Sequence, residues 1–229
     1  MDRSSLPDIL VSDVHEGLET SRADLVNKLI DEGNFNRIVV VGDLLNGNLS
    51  GFTDAMCGLL SRLRELNKEG RAFIVWGNHD IALLKVMELL TGIAVAESYE
   101  WESHGYKCLA IHGHQFDAVC SKSSVIASVL TWMLTTALAH RWLHYPAERF
   151  CDWLHVEWEK LTPKVRDGVS DLASARHATV AFAGHTHVHE GPAPARRGYV
   201  IYTNLGCCLG TSSTYGTVEA DGPHLRPLK

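Results

Sequence analysis

Residues 71–80, RAFIVWGNHD, carry an apolar run that ends in a glycine and three consecutive polar residues. The run at 71–76 is rich in β-branched and aromatic side chains, which predicts a β-strand. Gly77 predicts a turn, and the residues after it predict a helix from 80 to about 90. A strand, a glycine turn and a helix start thus coincide with Asn78, His79 and Asp80, an arrangement that favours a functional site over an ordinary turn.

Four further polar clusters follow apolar runs elsewhere in the chain. They are Asp13-Val14-His15, Gly42-Asp43, His112-Gly113-His114 and Gly184-His185-Thr186-His187. The runs before them predict strands at 8–12, 37–41, 106–111 and 178–183, and helical periodicity at 20–33 and 52–70 separates the first three strands. Because ligands bind beyond the carboxyl ends of strands in open α/β sheets, we expect all five clusters to converge on one crevice.

The residue types in the clusters favour metal chemistry. The candidate ligands are Asp13, His15, Asp43, Asn78, His112, His185 and His187. This set mixes oxygen and nitrogen donors without a thiolate, which suits manganese, iron, zinc or nickel better than calcium or magnesium alone. Seven ligands are too many for one tetrahedral ion. They fit two ions that share a carboxylate, the usual arrangement for displacement at phosphorus.

Taken one at a time, several clusters have a purely structural explanation. An Asp-x-His or Gly-Asp pair occurs by chance in many chains, and a lone histidine is usually a satisfied core or surface residue. The clusters at 77–80 and 184–187 are more specific, since paired imidazoles after a strand rarely serve packing. The joint occurrence of five clusters, each near a strand end, makes chance a poor explanation.

Length and composition indicate a single domain over residues 1–229. The chain is 45% hydrophobic and can bury a sizeable core. Its formal net charge of −6 gives no bulk attraction to polyanions, so we expect no nucleic-acid partner. The polar residues at 1–7 lack the features of a signal peptide, and the six cysteines show no disulfide framework; both observations favour a cytoplasmic protein.

The second half of the chain has a different character. Strands are expected at 95–101, 198–203 and, more weakly, 216–220, with a hairpin turn at 103–105 and an exposed turn at 191–198. The segment at about 116–177 holds four of the six tryptophans and predicts a helical insertion. Two roles stay open for it: a lid that receives an apolar part of the substrate, or a layer that completes the core. Its apolar stretch at 125–139 is too short to span a membrane but leaves a peripheral membrane contact open, at the inner face for a cytoplasmic protein.

The order of the clusters, DVH, GD, GNHD, HGH and GHTH, resembles the calcineurin-like metallophosphoesterase superfamily, whose pattern is D-x-H, G-D, G-N-H-D/E, H and G-H-x-H. The resemblance covers nearly the whole chain outside the helical insertion. It implies an α/β fold of four layers, in which two mixed β-sheets pack face to face between helices. It also implies hydrolysis of a phosphoester at a dinuclear metal site, with manganese the favoured ion.

The resemblance assigns a role to each site residue. One ion would be held by Asp13, His15 and His187, the other by Asn78, His112 and His185, and Asp43 would bridge them. A hydroxide between the ions would attack phosphorus. His79, as a partly protonated imidazole, would stabilise the phosphoryl oxygens or protonate the leaving group, with Asp80 orienting its ring. His114 is a candidate for contact with the substrate or for support of the metal ligands.

Within the superfamily the chain is most similar to the UDP-2,3-diacylglucosamine hydrolase group. It departs from that group at His79, where an arginine is usual, and at His114, where the group has HGD. The substrate is therefore expected to be a small phosphomonoester, phosphodiester or pyrophosphate, with a nucleotide-linked or lipid-linked compound among the candidates. The alternatives are a nucleotide or protein phosphatase and a non-catalytic metal-binding scaffold of the same fold.

Overall fold

Two five-stranded β-sheets with helices on their outer faces make up the described part of the computed structural model, residues 3–46, 53–117, 161–195 and 199–229. In chain order the elements are β1 (Asp8–Val11), α1 (Ala23–Glu32), β2 (Ile38–Val41), α2 (Asp54–Lys68), β3 (Ala72–Val75), α3 (Leu84–Thr91), β4 (Ser98–Ser103), β5 (Tyr106–Ile111), α4 (residues 161–175), β6 (Val180–Ala183), β7 (His189–Pro194), β8 (Ile201–Leu205), β9 (Thr214–Glu219) and β10 (Gly222–Pro227).

The first sheet has the strand order β10-β9-β1-β2-β3. β1, β2 and β3 are parallel, because α1 and α2 provide the crossovers between them. All residues of β1 and β2 are buried, as expected of strands that are covered on both faces. β9 pairs antiparallel with β1 and leaves β10 at the edge.

The second sheet has the order β4-β5-β6-β8-β7. β5, β6 and β8 are parallel, and β4 and β7 flank them antiparallel. The hairpin expected between the strands before and after residues 103–105 is confirmed: Ser103 pairs with Tyr106 around a turn at His104 and Gly105.

The two sheets pack face to face, which confirms the expected four-layer α/β fold. Leu10 and Val39 of the first sheet share a buried cluster with Trp101 and Phe182 of the second. The outer face of the first sheet packs on α1, α2 and α3. The outer face of the second packs on α4, through residues such as Val169. Apolar burial on all four faces holds the parallel strands in place and so positions their carboxyl ends.

One expectation about the second sheet is wrong. Residues 191–198 were expected to form an exposed turn because of their glycines and prolines, but His189–Pro194 forms β7. β7 lies at the edge of the sheet and carries a register shift between Glu190 and Ala193. A proline lacks the amide that a central strand needs, whereas an edge strand can accommodate it.

The segment at about 116–177, expected to be a helical insertion, is described only at its two ends. Residues 161–175 form α4, which packs on the second sheet and belongs to the outer helix layer. Residues 118–160, including Trp132 and the stretch at 125–139, lie outside the described residues, and the predictions of a lid and of a membrane contact fall on them. Among the helices in the described ranges, none is long and apolar enough to cross a membrane.

Candidate metal centre

The polar clusters lie where the parallel strands end. Asp13 follows β1, Asp43 follows β2 and Asn78 follows β3, while His112 follows β5 and His185 follows β6. Main-chain hydrogen bonds tie neighbouring ends together within each sheet: the amide of Asp13 donates to the carbonyl of Gly42, and that of Gly184 to His112. The facing sheets thus bring all five clusters to one edge.

The backbone at the clusters is strained. Five of the seven candidate ligands have a left-handed backbone, with φ of 50° at Asp13, 46° at His15, 48° at Asp43, 69° at His185 and 54° at His187. Each such residue costs on the order of 1–3 kcal/mol, so the surrounding structure must enforce the conformation. Elsewhere in the described ranges, only two other non-glycine residues have a positive φ. Concentration of strain at one edge is typical of a functional site.

The glycines that precede the ligands allow close approach between clusters. A Cβ atom at Gly77 would overlap the carboxylate of Asp43, and one at Gly184 would overlap Ser12 and the carboxylate of Asp13. Steric crowding therefore explains why a glycine precedes Asn78 and His185 in these two clusters. A larger residue at either position would push a ligand loop out of the centre.

Asp13 lies beside three imidazoles, those of His187, His15 and His112, the last at 3.3 Å from its Oδ1. Its Oδ1 is 3.2 Å from Nε2 of His187 and 3.6 Å from Nε2 of His15. The two Nε2 atoms are 3.1 Å apart. Asp13, His15 and His187 therefore offer donor atoms that all lie within 4.8 Å of one another, a separation that one cation can bridge.

Asp43 faces imidazoles on both sides of the cluster. Its Oδ2 is 3.7 Å from Nε2 of His15 and 3.6 Å from Nε2 of His112. The His112 ring lies 5.2 Å from the His185 ring, measured between centroids. Asn78 is buried, and its Oδ1 has no hydrogen-bond partner. A buried amide oxygen without a partner is costly, and a cation would satisfy it.

The electrostatics of the cluster also fit a cation. Burial raises the pKa of Asp43 well above its ordinary value, and repulsion from Asp13 and Asp80 adds to this. Burial would raise the pKa of Asp13 as well, but the attraction and hydrogen bond of His112 lower it well below its ordinary value. Burial lowers the pKa of His112 to about 4, so its imidazole is neutral and keeps a lone pair. A neutral His112 imidazole beside two buried carboxylates offers suitable donors for divalent ions.

His79 lies beside the donor cluster with a different protonation state from the one expected. Its ring packs edge-on against His15 at 4.9 Å, and its Nε2 is 3.9 Å from Oδ2 of Asp43. Burial, followed by repulsion from His15 and His112, lowers the pKa of His79 to about 3. Burial disfavours the charged form, which favours a neutral ring over the partly protonated imidazole expected from the sequence. Its side chain remains 17% exposed and accessible from outside.

Asp80 does not orient the ring of His79. Its buried carboxylate accepts hydrogen bonds from the main-chain amides of Leu44, at 3.3 Å, Leu45, at 3.0 Å, and Gly77, at 2.9 Å. Within the described ranges, no hydrogen bond joins it to the His79 imidazole. Burial raises the pKa of Asp80 to about 6 against the effect of these amides. Asp80 therefore fixes the loops after β2 and β3, which carry Asp43 and Asn78.

The turn after β5 adds one residue that the sequence pattern did not single out. Oδ2 of Asp117 lies 3.1 Å from Nε2 of His185. His114 is 5% exposed and lies behind His112, with 3.1 Å between their Nδ1 atoms. The only available signal for Asp117 was its position five residues after a candidate ligand, which is too weak to assign a role.

Residues 9–189 match the sequence profile of the family described as Calcineurin-like phosphoesterase. The chain belongs to this family. Membership implies divalent metal ions, and the donors described above are suited to hold them. No curated protein sequence matches the chain.

Solved structures of low sequence identity share the fold. The chain is similar to Yfce, a phosphoesterase from E. coli, at 17% identity and a TM-score of 0.51, with 94% of this chain and 90% of that chain covered. It is similar to an archaeal phosphodiesterase at 15% identity and a TM-score of 0.50, with 97% and 100% covered. It is also similar to a single mutant of Vps29 from Entamoeba histolytica at 14% identity and a TM-score of 0.52, with 93% and 86% covered.

Proposed function

We propose that the chain is a phosphohydrolase that uses two divalent metal ions. The observation that carries the proposal is a pair of buried carboxylates, Asp13 and Asp43, among the imidazoles of His15, His112 and His187, with Asp43 facing both His15 and His112. A single structural ion would not need so many donors. A buried carboxylate between two sets of imidazoles suits a ligand shared by two ions.

The residues divide into two groups of ligands around that carboxylate. Asp13, His15 and His187 would hold one ion, Asn78, His112 and His185 the other, and Asp43 both. When bound, such ions neutralise the charge of a phosphoryl group and lower the pKa of water. The protein contributes a rigid and mostly buried donor set, since the left-handed backbone and the close-packed glycines leave the loops little freedom.

His79 is proposed as the catalytic residue that contacts the substrate. Its imidazole is neutral, so a ring N–H would donate a hydrogen bond to a phosphoryl oxygen or to the leaving oxygen. The main-chain amide of His79 donates to Oδ1 of Asp43 at 2.9 Å, which places the residue directly beside the proposed shared ligand. Partial exposure of the ring leaves it accessible to a substrate.

The substrate proposed is a small phosphoester, and manganese is the favoured ion with iron, zinc or nickel as alternatives. Likeness to the UDP-2,3-diacylglucosamine hydrolase group would favour an apolar moiety that contacts residues 118–160, among them Trp132 and Leu134. His79 and His114 differ from that group and favour another phosphoester. The first activity test therefore includes monoesters, diesters and pyrophosphates. A separate binding test with membranes would detect peripheral association of a cytoplasmic protein.

The test is a panel of phosphoesters offered to the metal-reconstituted protein. The panel consists of p-nitrophenyl phosphate, its bis ester, a nucleoside diphosphate sugar and UDP-diacylglucosamine. We expect turnover of at least one compound, and a loss of about 10²–10⁴-fold in His79→Ala with metal content retained. His177→Ala, an exposed histidine at the amino end of β6, is the matched control and should keep full activity.

A metal-binding scaffold of the same fold is the alternative outcome of this test. The scaffold would bind ions with the stoichiometry of the wild type and cleave no compound of the panel. Unchanged turnover in His79→Ala would instead contradict the role of that residue while leaving the reaction class intact.

A further inference from the structure

We propose that residues 113–117, here called the positioning turn, orient the imidazoles of His112 and His185 toward a shared cation. His114 acts on His112 and Asp117 on His185, so one short segment would support two of the four ligands assigned to the same ion. The inference rests on the proposed metal-dependent function. It gives His114, which the sequence left between substrate contact and ligand support, a defined partner, and it adds Asp117, which the sequence pattern did not single out.

The contact between Asp117 and His185 selects one tautomer of the imidazole. Oδ2 of Asp117 lies 3.1 Å from Nε2 of His185, and both side chains are about nine-tenths buried. A carboxylate accepts a hydrogen bond, so the ring proton resides on Nε2 and the lone pair on Nδ1. The main-chain amide of His185 donates to Oδ2 of Asp13 at 3.0 Å, which holds the other end of the residue. His185 is thus held by one carboxylate at its ring and by another at its main chain.

The contact between His114 and His112 does the same for the second imidazole. Their Nδ1 atoms are 3.1 Å apart, so one nitrogen donates and the other accepts. Nε2 of His112 faces Asp13 at 3.3 Å and Asp43 at 3.6 Å, on the side of the donor cluster. A cation there requires a lone pair on that Nε2, which leaves the proton of His112 on Nδ1. His114 would accept this proton's hydrogen bond and keep its own proton on Nε2.

The positioning turn is itself held rigidly. The amide of Phe116 donates to the carbonyl of Gly113 at 3.1 Å, and that of Asp117 donates to His114 at the same distance. The His114 ring packs against Trp76, with 4.8 Å between centroids. The Phe116 ring lies so close to Gly168 of α4 that a Cβ atom there would overlap it. A rigid turn can hold imidazoles in place, whereas a mobile one would exchange partners with water.

Partners of this kind normally change the affinity of a metal site without contacting the ion. Loss of one costs about 10–100-fold in metal affinity, since the imidazole regains rotation and the wrong tautomer. We therefore expect Asp117→Ala and His114→Phe each to weaken one of the two metal equivalents by about 10–100-fold and to leave the other unchanged. Phenylalanine keeps an aromatic ring against Trp76, one atom larger than imidazole, and removes both nitrogen atoms.

The measurement is equilibrium binding of manganese to the full-length metal-free protein, with stoichiometry from elemental analysis. Asp117→Asn and His114→Asn retain a side-chain acceptor and should recover most of the lost affinity, which general damage to the fold would not allow. Asp8→Asn is the matched control: Asp8 is a fully buried carboxylate at the amino end of β1 that accepts from Trp101. Wild-type affinity for both equivalents in Asp117→Ala and His114→Phe would overturn the proposal, as would equal losses in Asp8→Asn.

A second readout does not need a metal ion. Long-range ¹H–¹⁵N spectra of the metal-free protein report the imidazole tautomers, and we expect His185 to carry its proton on Nε2. Asp117→Ala should abolish that preference, and an unchanged tautomer would overturn the proposal. The tautomer and the binding data do not depend on turnover. A wild-type protein that binds manganese and cleaves no phosphoester would thus refute the proposed function alone.

Discussion

Asp43 is the residue on which the proposed dinuclear site depends. It is 2% exposed, its pKa is raised by burial and by two neighbouring carboxylates, and it faces imidazoles on two sides. A cation offsets this unfavourable charge, so the carboxylate and the ions stabilise each other.

Replacement of Asp43 by alanine should remove both metal equivalents together and reduce phosphoester hydrolysis to background. The physical reason is that each ion loses the ligand that it shares with the other. Elemental analysis of the purified variant measures the metal content. Asp31→Ala, at an exposed carboxylate of α1, is the control and should retain both ions. Full occupancy in Asp43→Ala would refute the shared role.

His114 should make the metal-free protein sensitive to acid. Burial lowers the pKa of His114 to about 2 from 6.5, so below pH 6.5 the unfolded chain takes up a proton there that the folded chain does not. Acid therefore favours the unfolded state through this group, by up to about 1.4 kcal/mol per pH unit. His114→Phe lacks this contribution. Denaturant titrations in the presence of a chelator measure the free energy of unfolding of both proteins. The value for the variant minus the value for wild type should rise as the pH falls from 6.5 to 4. A constant difference across this range would show that His114 is protonated in the fold.

At the level of elements, the ends of the strands determine the geometry of the proposed metal centre more than their middles do. β6 ends at Ala183, and Gly184 then passes so close to Ser12 and Asp13 that no side chain fits. β3 ends in the same way, with Gly77 against Asp43. Because each glycine connects a strand to a ligand, a steric change there moves the ligand as well as the strand.

Gly184→Ala should destabilise the fold by about 1–3 kcal/mol and lower metal affinity, because the added methyl group overpacks the junction with β1. Gly191→Ala in β7 is the matched control: a Cβ atom at Gly191 meets no other atom within 4 Å. Thermal unfolding and manganese binding measure the two effects. Similar behaviour of the two variants would show that the junction can relax.

Most strands and helices were predictable because their signals are local. Buried parallel strands such as Ile38–Val41 are continuous apolar runs, and α1 ends at a left-handed Gly33 as its sequence indicated. β7 and β10 were missed. Both contain prolines and lie at sheet edges. An edge strand forms by pairing with a single neighbouring strand, so its own sequence carries only a weak strand signal. Their strand character depends on β8 and β9, which the local sequence does not show.

On the scale of the whole molecule, one buried carboxylate connects the two sheets at the end opposite to the metal centre. Asp8 of β1 accepts from Nε1 of Trp101 in β4 at 2.8 Å and lies 3.2 Å from Nε of Arg37. Asn36 donates to the same carboxylate at 2.8 Å. Removal of the carboxylate would leave a partly buried guanidinium and an indole N–H without their acceptor.

Asp8→Ala should therefore lower the free energy of unfolding by about 3–5 kcal/mol and leave the metal stoichiometry of the folded protein unchanged. Urea titration measures the first quantity and elemental analysis the second. Loss of metal in the folded variant would indicate that the two ends of the sheets are coupled.

The amino-acid sequence by itself determined the alternation of strands and helices, the five polar clusters and the donor chemistry, because periodicity, glycine turns and ligand types are properties of neighbouring residues. The tertiary structure alone decided which atoms meet. It showed that burial lowers the pKa of His79, that Asp80 binds main-chain amides and that Asp117 faces His185. These features depend on burial and on distances between residues far apart in the chain, and only the packing of the two sheets sets them.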